Sequence, residues 1–266
     1  MDFEDRVALI TGAAHGQGRA VALALAAQGA DIVGFDLGHA AEYPAYAFGT
    51  NAELKSLAAE VEALGRRCIV ACGDVRDDAA VSSVVEDAIK AFGHIDILFN
   101  NAGICAYAEV DTMTDEAMDA MIDINLKGAM KVTRAVVPHM KEAKRGVIIN
   151  NSSVMGLRGG RRLSHYVASK WGLVGLTKSW ALELAPWNIR SVSIHPTGVN
   201  TPMNDGLAAM EGKTPEEIAE ASAGNLLPVP WVETCDVCEM VLFLASDKAR
   251  YITGSQFTLD AGLLSV

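Results

Sequence analysis

"ALITGAAHGQGRAVALALAAQGADIVGFD", Ala8 to Asp36, decides the fold. An apolar run ends in three spaced glycines, Gly12, Gly16 and Gly18, a helix-like segment follows at once, and a second apolar run closes on Asp36. Strand, glycine turn, helix and strand in that order start a parallel βαβ unit. Three glycines alone are a weak signal, and the flanking strand and helix give them weight. In that setting glycine permits a tight turn and close backbone approach to a pyrophosphate. The helix beginning near Gly18 aims its free N–H groups and positive dipole end at the phosphates. His15 and Gln17 belong to the same cofactor-binding loop. Asp36 can accept hydrogen bonds from both hydroxyls of an adenosine ribose and would repel a 2′-phosphate, which favours NAD over NADP. A neutral His15 is a poor substitute for arginine as a partner for that phosphate.

The alternation continues along the chain. Short apolar runs, "RCIVACGD", "IDILFNNAG", "GVIINNSS", "IRSVSIHP" and "SQFTLDAG", are separated by helical patterns at Asn51 to Leu64, Ala79 to Phe92, Asp115 to Ala143, Tyr166 to Ala185 and Glu233 to Ala245. Such a chain predicts an α/β fold, a doubly wound sheet of about seven parallel strands with helices on both faces. No linker or repeat interrupts it, so residues 1–266 read as one domain, dinucleotide-binding and catalytic together. Two irregular regions, Leu37 to Thr50 and Thr201 to Trp231, follow strand carboxyl ends, where parallel sheets place ligands. The second contains "AAMEGKTPEEIAEAS", a mobile-looking helical segment suited to closing over a substrate.

Half of the residues are hydrophobic and the formal net charge is -11. That balance opposes nucleic acid, anionic membrane surfaces and acidic carrier proteins as partners. No apolar run approaches the roughly 20 residues that span a bilayer, and the expected location is cytoplasmic. The five cysteines are odd in number and read as reduced thiols. "CDVC", Cys235 to Cys238, lacks a second ligand pair and sits in an amphipathic helical pattern, so no metal is expected there or elsewhere.

"SHYVASKWGLVG", Ser164 to Gly175, carries the chemistry. Tyr166 and Lys170 stand four residues apart on one helix face. A free tyrosine, with a pKa near 10, is a poor base at neutral pH; a neighbouring ammonium favours the phenolate and is expected to lower that value. Ser153 lies upstream at the end of "VIINNSS". Ser152 should point away from it, and His165 diverges from Tyr166 by about 100° around the helix, so a serine hydrolase is disfavoured.

"TGAAHGQG", "GDVRD", "NNAG", "DINLKG" and Ser…Tyr-x-x-x-Lys, in that order, resemble the short-chain dehydrogenase/reductase family over Arg6 to Gly262. The resemblance implies that Asp74 contacts the adenine with Val75 beside it, and that Asn101, Ala102 and Gly103 pack along the cofactor. It implies that Tyr166 exchanges a proton with the substrate oxygen, Ser153 holds that oxygen, and Lys170 also binds the nicotinamide ribose. Asn125 would neighbour a water linking Lys170 to solvent, and hydride would move on the pro-S face. "HPTGVNT" matches the carboxamide-binding segment at Pro196, Val199 and Thr201. Its glycine, Gly198, comes one place later than in the family's Pro-Gly, so the loop is expected to depart locally from the family's path.

Apolar candidates for a substrate pocket are Ile104, Tyr107, Met155, Leu157, Met203, Leu207, Met210, Leu226 and Trp231, of which about half are expected to line it. They suit a hydrophobic secondary alcohol or its ketone. The segment after Asp36 together with "HPTGVNTPM" looks in part like the mycofactocin-associated subgroup, which includes carveol dehydrogenases, and there the inserted segment covers the NAD. Apolar residues alone do not separate a terpenoid from a steroid ring. An NADP-linked 3-ketoacyl reductase and a non-catalytic dinucleotide sensor or scaffold are the rival readings; Asp36 argues against the first, and the retained tyrosine and lysine against the second. The family also pairs its two long helices across two-fold axes, implying a homotetramer or homodimer.

Overall fold

The structure, a computed structural model, describes residues 2–222 and 224–265. Met1, Ala223 and Val266, which the one-domain reading and the Thr201-to-Trp231 region include between them, lie outside the described residues. Seven parallel strands form one sheet: β1 (Val7–Thr11), β2 (Asp31–Asp36), β3 (Cys68–Cys72), β4 (Ile97–Asn100), β5 (Gly146–Asn151), β6 (Ile189–Pro196) and β7 (Gln256–Leu259), in the order β3-β2-β1-β4-β5-β6-β7. Val7 registers against Asp31 on one side of β1, and Ala8 against Ile97 on the other. The chain therefore reverses its direction of winding between β1 and β4, and a crevice opens beyond their carboxyl ends.

Alternation along β1 sorts side chains to opposite faces. Ala8 and Ile10 join a core with Val21 and Leu25 of α1 (Gly16–Ala27), Leu54 and Leu57 of α2 (Asn51–Ala63), and Val237 and Val241. Val7 and Leu9 join the opposite core with Val81 and Val84 of α3 (Asp78–Phe92) and Val132 and Val136. Because both faces are covered, all five residues of β1 are buried and the strand reads as a continuous apolar run.

The expected helix Asp115 to Ala143 is present but not uniform. It consists of α4 (Asp115–Ile122), one wider π-helical turn over Asp123–Gly128, and α5 (Ala129–Ala143). Such a turn admits an extra residue and is frequent at functional sites. Helix α6 (Ser164–Leu184) begins two residues before Tyr166. The segment expected to be mobile folds into α7 (Pro202–Met210) and α8 (Pro215–Ser222). "CDVC" lies in α9 (Thr234–Ala245), with Cys235 exposed and Cys238 buried, both as free thiols. Among the described residues no group of three or more His, Cys, Asp or Glu could hold a metal ion, and no helix is long and apolar enough to cross a membrane.

Candidate active site

At the crevice the glycine loop is as tight as the chain can make it. Gly12 and Gly16 adopt φ +67 and +55, and a Cβ on Gly18 would fall 2.0 Å from the Gly12 carbonyl oxygen. Only glycine fits there. Thr11 Oγ1 accepts hydrogen bonds from the backbone N–H groups of Asn101 and Ala102, each at 3.0 Å. Asn101 Nδ2 donates back to the carbonyls of Thr11 (3.0 Å) and Gly12 (3.2 Å). Asn151 Nδ2 then donates to Asn101 Oδ1 at 2.8 Å and to Gln17 Oε1 at 3.0 Å. The ends of β1, β4 and β5 are thus tied into a fixed floor.

The cleft above this floor has about 1080 Å³ of empty volume, its open mouth included. Gly12, His15, Gly16, Gln17, Asp36, Asp74, Val75, Asn101, Ala102, Gly103 and Thr201 line it, with Tyr166 and Lys170 at one end. Of the sequence-predicted cofactor residues, Gly18, Pro196 and Val199 stand behind this lining. Gly18 shapes the loop, while Val199 is buried and bridges to Val232. Trp231 packs over the late glycine of "HPTGVNT", since a Cβ on Gly198 would lie 2.2 Å from its ring. Asp36 Oδ2 accepts from the Ala14 N–H at 2.9 Å. Burial alone would raise the Asp74 carboxyl, but hydrogen bonds from the Arg76 guanidinium and backbone hold it below the usual carboxylate range. The walls not anticipated residue by residue include Leu37, Ala41, Phe48 and Gly49, all from the segment after β2, together with Arg76, Ile124, Asn151 and Pro202.

These residues fit a dinucleotide. His15, at the N-cap of α1, makes no side-chain cap, whereas Thr50, Asp77 and Thr114 cap the next three helices. The N-terminus of α1 is left for an anion beside a loop that has no room for Cβ atoms.

At the other end, Lys170 is buried and its Nζ donates to the Asn151 carbonyl at 2.7 Å. Burial lowers its pKa to about 8. The Lys170 ammonium lies 5.5 Å from the centre of the Tyr166 ring. Burial raises the Tyr166 phenol, and the neighbouring Ser153 hydroxyl opposes that shift without overcoming it. The expected lowering of the Tyr166 pKa is therefore corrected: desolvation outweighs every favourable contact, and the ammonium is engaged by a carbonyl. Asn125 stands behind the cleft lining. Its Oδ1 accepts from the Ile104 N–H and its Nδ2 donates to the Ile104 carbonyl, both at 2.8 Å, so from the wider helical turn it fixes the backbone of the segment after β4. The Ser152 hydroxyl turns to the Lys170 carbonyl at 3.1 Å.

One buried neighbour of Ser153 escaped the sequence reading. His195 is fully buried; its Nδ1 lies 2.8 Å from the Ser153 carbonyl and its Nε2 2.9 Å from Ser193 Oγ. A carbonyl only accepts, so Nδ1 carries the proton and Nε2 accepts from the serine. Burial lowers the His195 pKa, which keeps this neutral form. The signal in the sequence was a histidine near the carboxyl end of a strand, two residues after Ser193, in "SIHP".

Above Tyr166 an apolar group gathers Cys105, Tyr107, Met155, Leu163, Met203 and Leu207, and a second holds Tyr43, Phe48 and Ile104. Five of the nine pocket candidates fall in these two groups. Leu226 and Met210 are 60% and 40% exposed and belong to the outer surface. From the segment after β2, Tyr46 reaches over to accept from the Cys105 N–H at 3.2 Å, and its ring stacks on Phe48.

A seven-stranded doubly wound sheet with this glycine loop and this Ser, Tyr and Lys is the architecture of a short-chain dehydrogenase. The chain belongs to that family: the short chain dehydrogenase model matches residues 6–212. It is 45% identical over 269 residues to a (-)-trans-carveol dehydrogenase of Rhodococcus erythropolis, with 97% of each chain covered. A carveol dehydrogenase of Mycobacterium avium, solved in complex with NAD, superposes with a TM-score of 0.96 at 39% identity, covering 100% of this chain and 99% of that one. A 3-oxoacyl-[acyl-carrier-protein] reductase of Thermotoga maritima is 37% identical over 264 residues, 99% of this chain and 100% of its own.

Proposed function

We propose that this chain is an NAD-dependent oxidoreductase that interconverts a hydrophobic ring alcohol and its ketone, with a terpenoid favoured over a steroid. The observation that carries this reading is one continuous cleft running from Asp36, at the adenosine end, to Tyr166, where the apolar groups close over it. The relatives that act on carveol support the terpenoid side.

Tyr166 Oη holds the proton that the substrate oxygen gains on reduction or releases on oxidation, and Ser153 Oγ steadies that oxygen. Burial keeps the phenol neutral, the form that can donate to a ketone. Lys170 orients the nicotinamide ribose and keeps a positive charge beside Tyr166, while Asn125 and His195 are positioning residues. NAD, when bound, supplies the hydride acceptor and donor. The Asp36 carboxylate disfavours NADP and so the 3-ketoacyl reductase alternative, and retention of Tyr166 and Lys170 disfavours a non-catalytic sensor.

Self-association to a homotetramer or homodimer through the outer faces of α5 and α6 is part of the proposal. Trp171 and Met130 are 49% and 43% exposed there, large apolar surface that a second copy would cover. The five free thiols suit a reducing, cytoplasmic location.

The test is a panel of terpenoid and steroid ring alcohols and ketones assayed with NAD(H) and NADP(H). NAD-linked turnover of ring alcohols is expected. Turnover restricted to NADPH and 3-oxoacyl thioesters, or none at all, overturns the reading.

A further inference from the structure

Three walls of the substrate end meet at a side chain the mechanism does not use. Arg162 lies four residues before Tyr166 and adopts φ +60, a left-handed conformation uncommon outside glycine. Its carbonyl accepts from the Ala108 N–H at 2.8 Å. Its Nη1 and Nη2 donate to the two carboxylate oxygens of Glu211 at 2.8 and 3.0 Å, a forked pair. Nε faces Glu109 Oε1 at 3.4 Å, and the guanidinium carbon lies 5.3 Å from the centre of the Tyr107 ring.

Glu211 is the C-cap residue of α7, whose Met203 and Leu207 pack with Tyr107, Leu163 and Tyr166. One arginine thus joins the end of α7 to the Tyr107–Glu109 segment and to the approach of α6. A residue held in a sparsely populated backbone conformation by several partners is over-determined by its surroundings, which is where functional constraint is found. The Arg162 and Glu211 side chains keep 36% and 23% exposure, so water can compete for the pair and the clasp can open.

We infer that Arg162 is a positioning residue that clasps α7 over the bound alcohol or ketone, setting substrate affinity and shape selectivity without touching the cofactor or the transferred proton. This rests on the proposed oxidoreductase reading, because it assigns the apolar group beside α7 to the substrate. Lysine cannot replace the fork, since it offers a point charge without the planar pair of donors.

R162Q, R162K, E211Q, the R162Q/E211Q double variant and the swapped R162E/E211R pair test it with a ring ketone that the wild type accepts. The expected rise in KM is about fivefold in each single variant, the upper range for a partly exposed ion pair, with kcat and NAD affinity within about twofold. The double variant should lose no more than either single one, and the swapped pair should recover part of the loss. Unchanged KM, additive losses, or an equal fall in NAD affinity would overturn the inference. A second measurement needs no turnover: amide hydrogen exchange over Pro202–Met210 in the NAD-loaded protein should quicken about fivefold in R162Q, with the β-strands unaffected. If no ring substrate is turned over, the oxidoreductase reading fails by itself, and the clasp is decided by exchange, where no change over Pro202–Met210 refutes it.

Discussion

Lys170 should cost the fold stability that the reaction needs spent. Burial lowers its pKa from an ordinary 10.5 to about 8, which corresponds to roughly 3 kcal/mol at neutral pH. Below pH 8 the lysine is protonated in both the folded and the unfolded chain, and the full penalty of burying an ammonium applies. Between about 8 and 10.5 the folded protein has released the proton while the unfolded chain still binds it, so stability rises with pH and the penalty fades. Lys170→Met removes the charge and keeps the volume. It also strips the Asn151 carbonyl of its donor, a loss of about 1–3 kcal/mol that does not vary with pH. The readout is therefore the difference in unfolding free energy, variant minus wild type, which should fall by about 2 kcal/mol from pH 7 to pH 9.5. Urea unfolding followed by circular dichroism, at one protein concentration for both chains, measures it. A difference constant to within about 0.5 kcal/mol would refute a buried ammonium of lowered pKa. The same variant should turn over no ring alcohol.

Tyr166→Phe keeps the ring and its packing and should reduce turnover by about 10² to 10⁴, the worth of positioned acid–base catalysis, with NAD titration unchanged; near-normal turnover would remove Tyr166 from the role of acid. His195→Leu removes one of two donors to the Ser153 carbonyl, which keeps the Gly156 N–H, and takes the acceptor from the buried Ser193 hydroxyl; it should lower stability by about 1–3 kcal/mol. In the same variant kcat should fall while NAD affinity stays level; a drop in stability with kcat intact would make His195 a purely structural residue.

The parallel sheet was readable because its five inner strands are buried on both faces and stand out as apolar runs, each followed by a helical pattern, while the half-exposed edge strands β3 and β7 keep enough apolar residues to continue the alternation. Tyr166 and Lys170 were readable because four residues on a helix is a fixed geometry. The wider turn at Asp123–Gly128 was not: one added residue leaves the apolar spacing of "DINLKG" looking helical. The sign of the Tyr166 shift was not legible either, because it depends on burial depth, which chain segments distant in sequence supply. The pairings of His195 and Arg162 escaped for a related reason. Their partners, Ser153 and Glu211, are 42 and 49 residues away, and no local period encodes such pairs.

Tyr46 has a bearing on how this scaffold can be rebuilt. Its side chain lies so near α7 that a Cβ on Gly206 would come within 2.5 Å of the Tyr46 Cβ. The segment that overhangs the adenosine half and the helix that overhangs the substrate half therefore share a seam with no room for a methyl group. Neither is a free-standing module. Grafting Leu37 to Thr50 from a relative, or exchanging α7 to admit a larger ring, has to carry positions 46 and 206 together, and a library that varies one cover alone will mostly sample chains in which the other no longer closes.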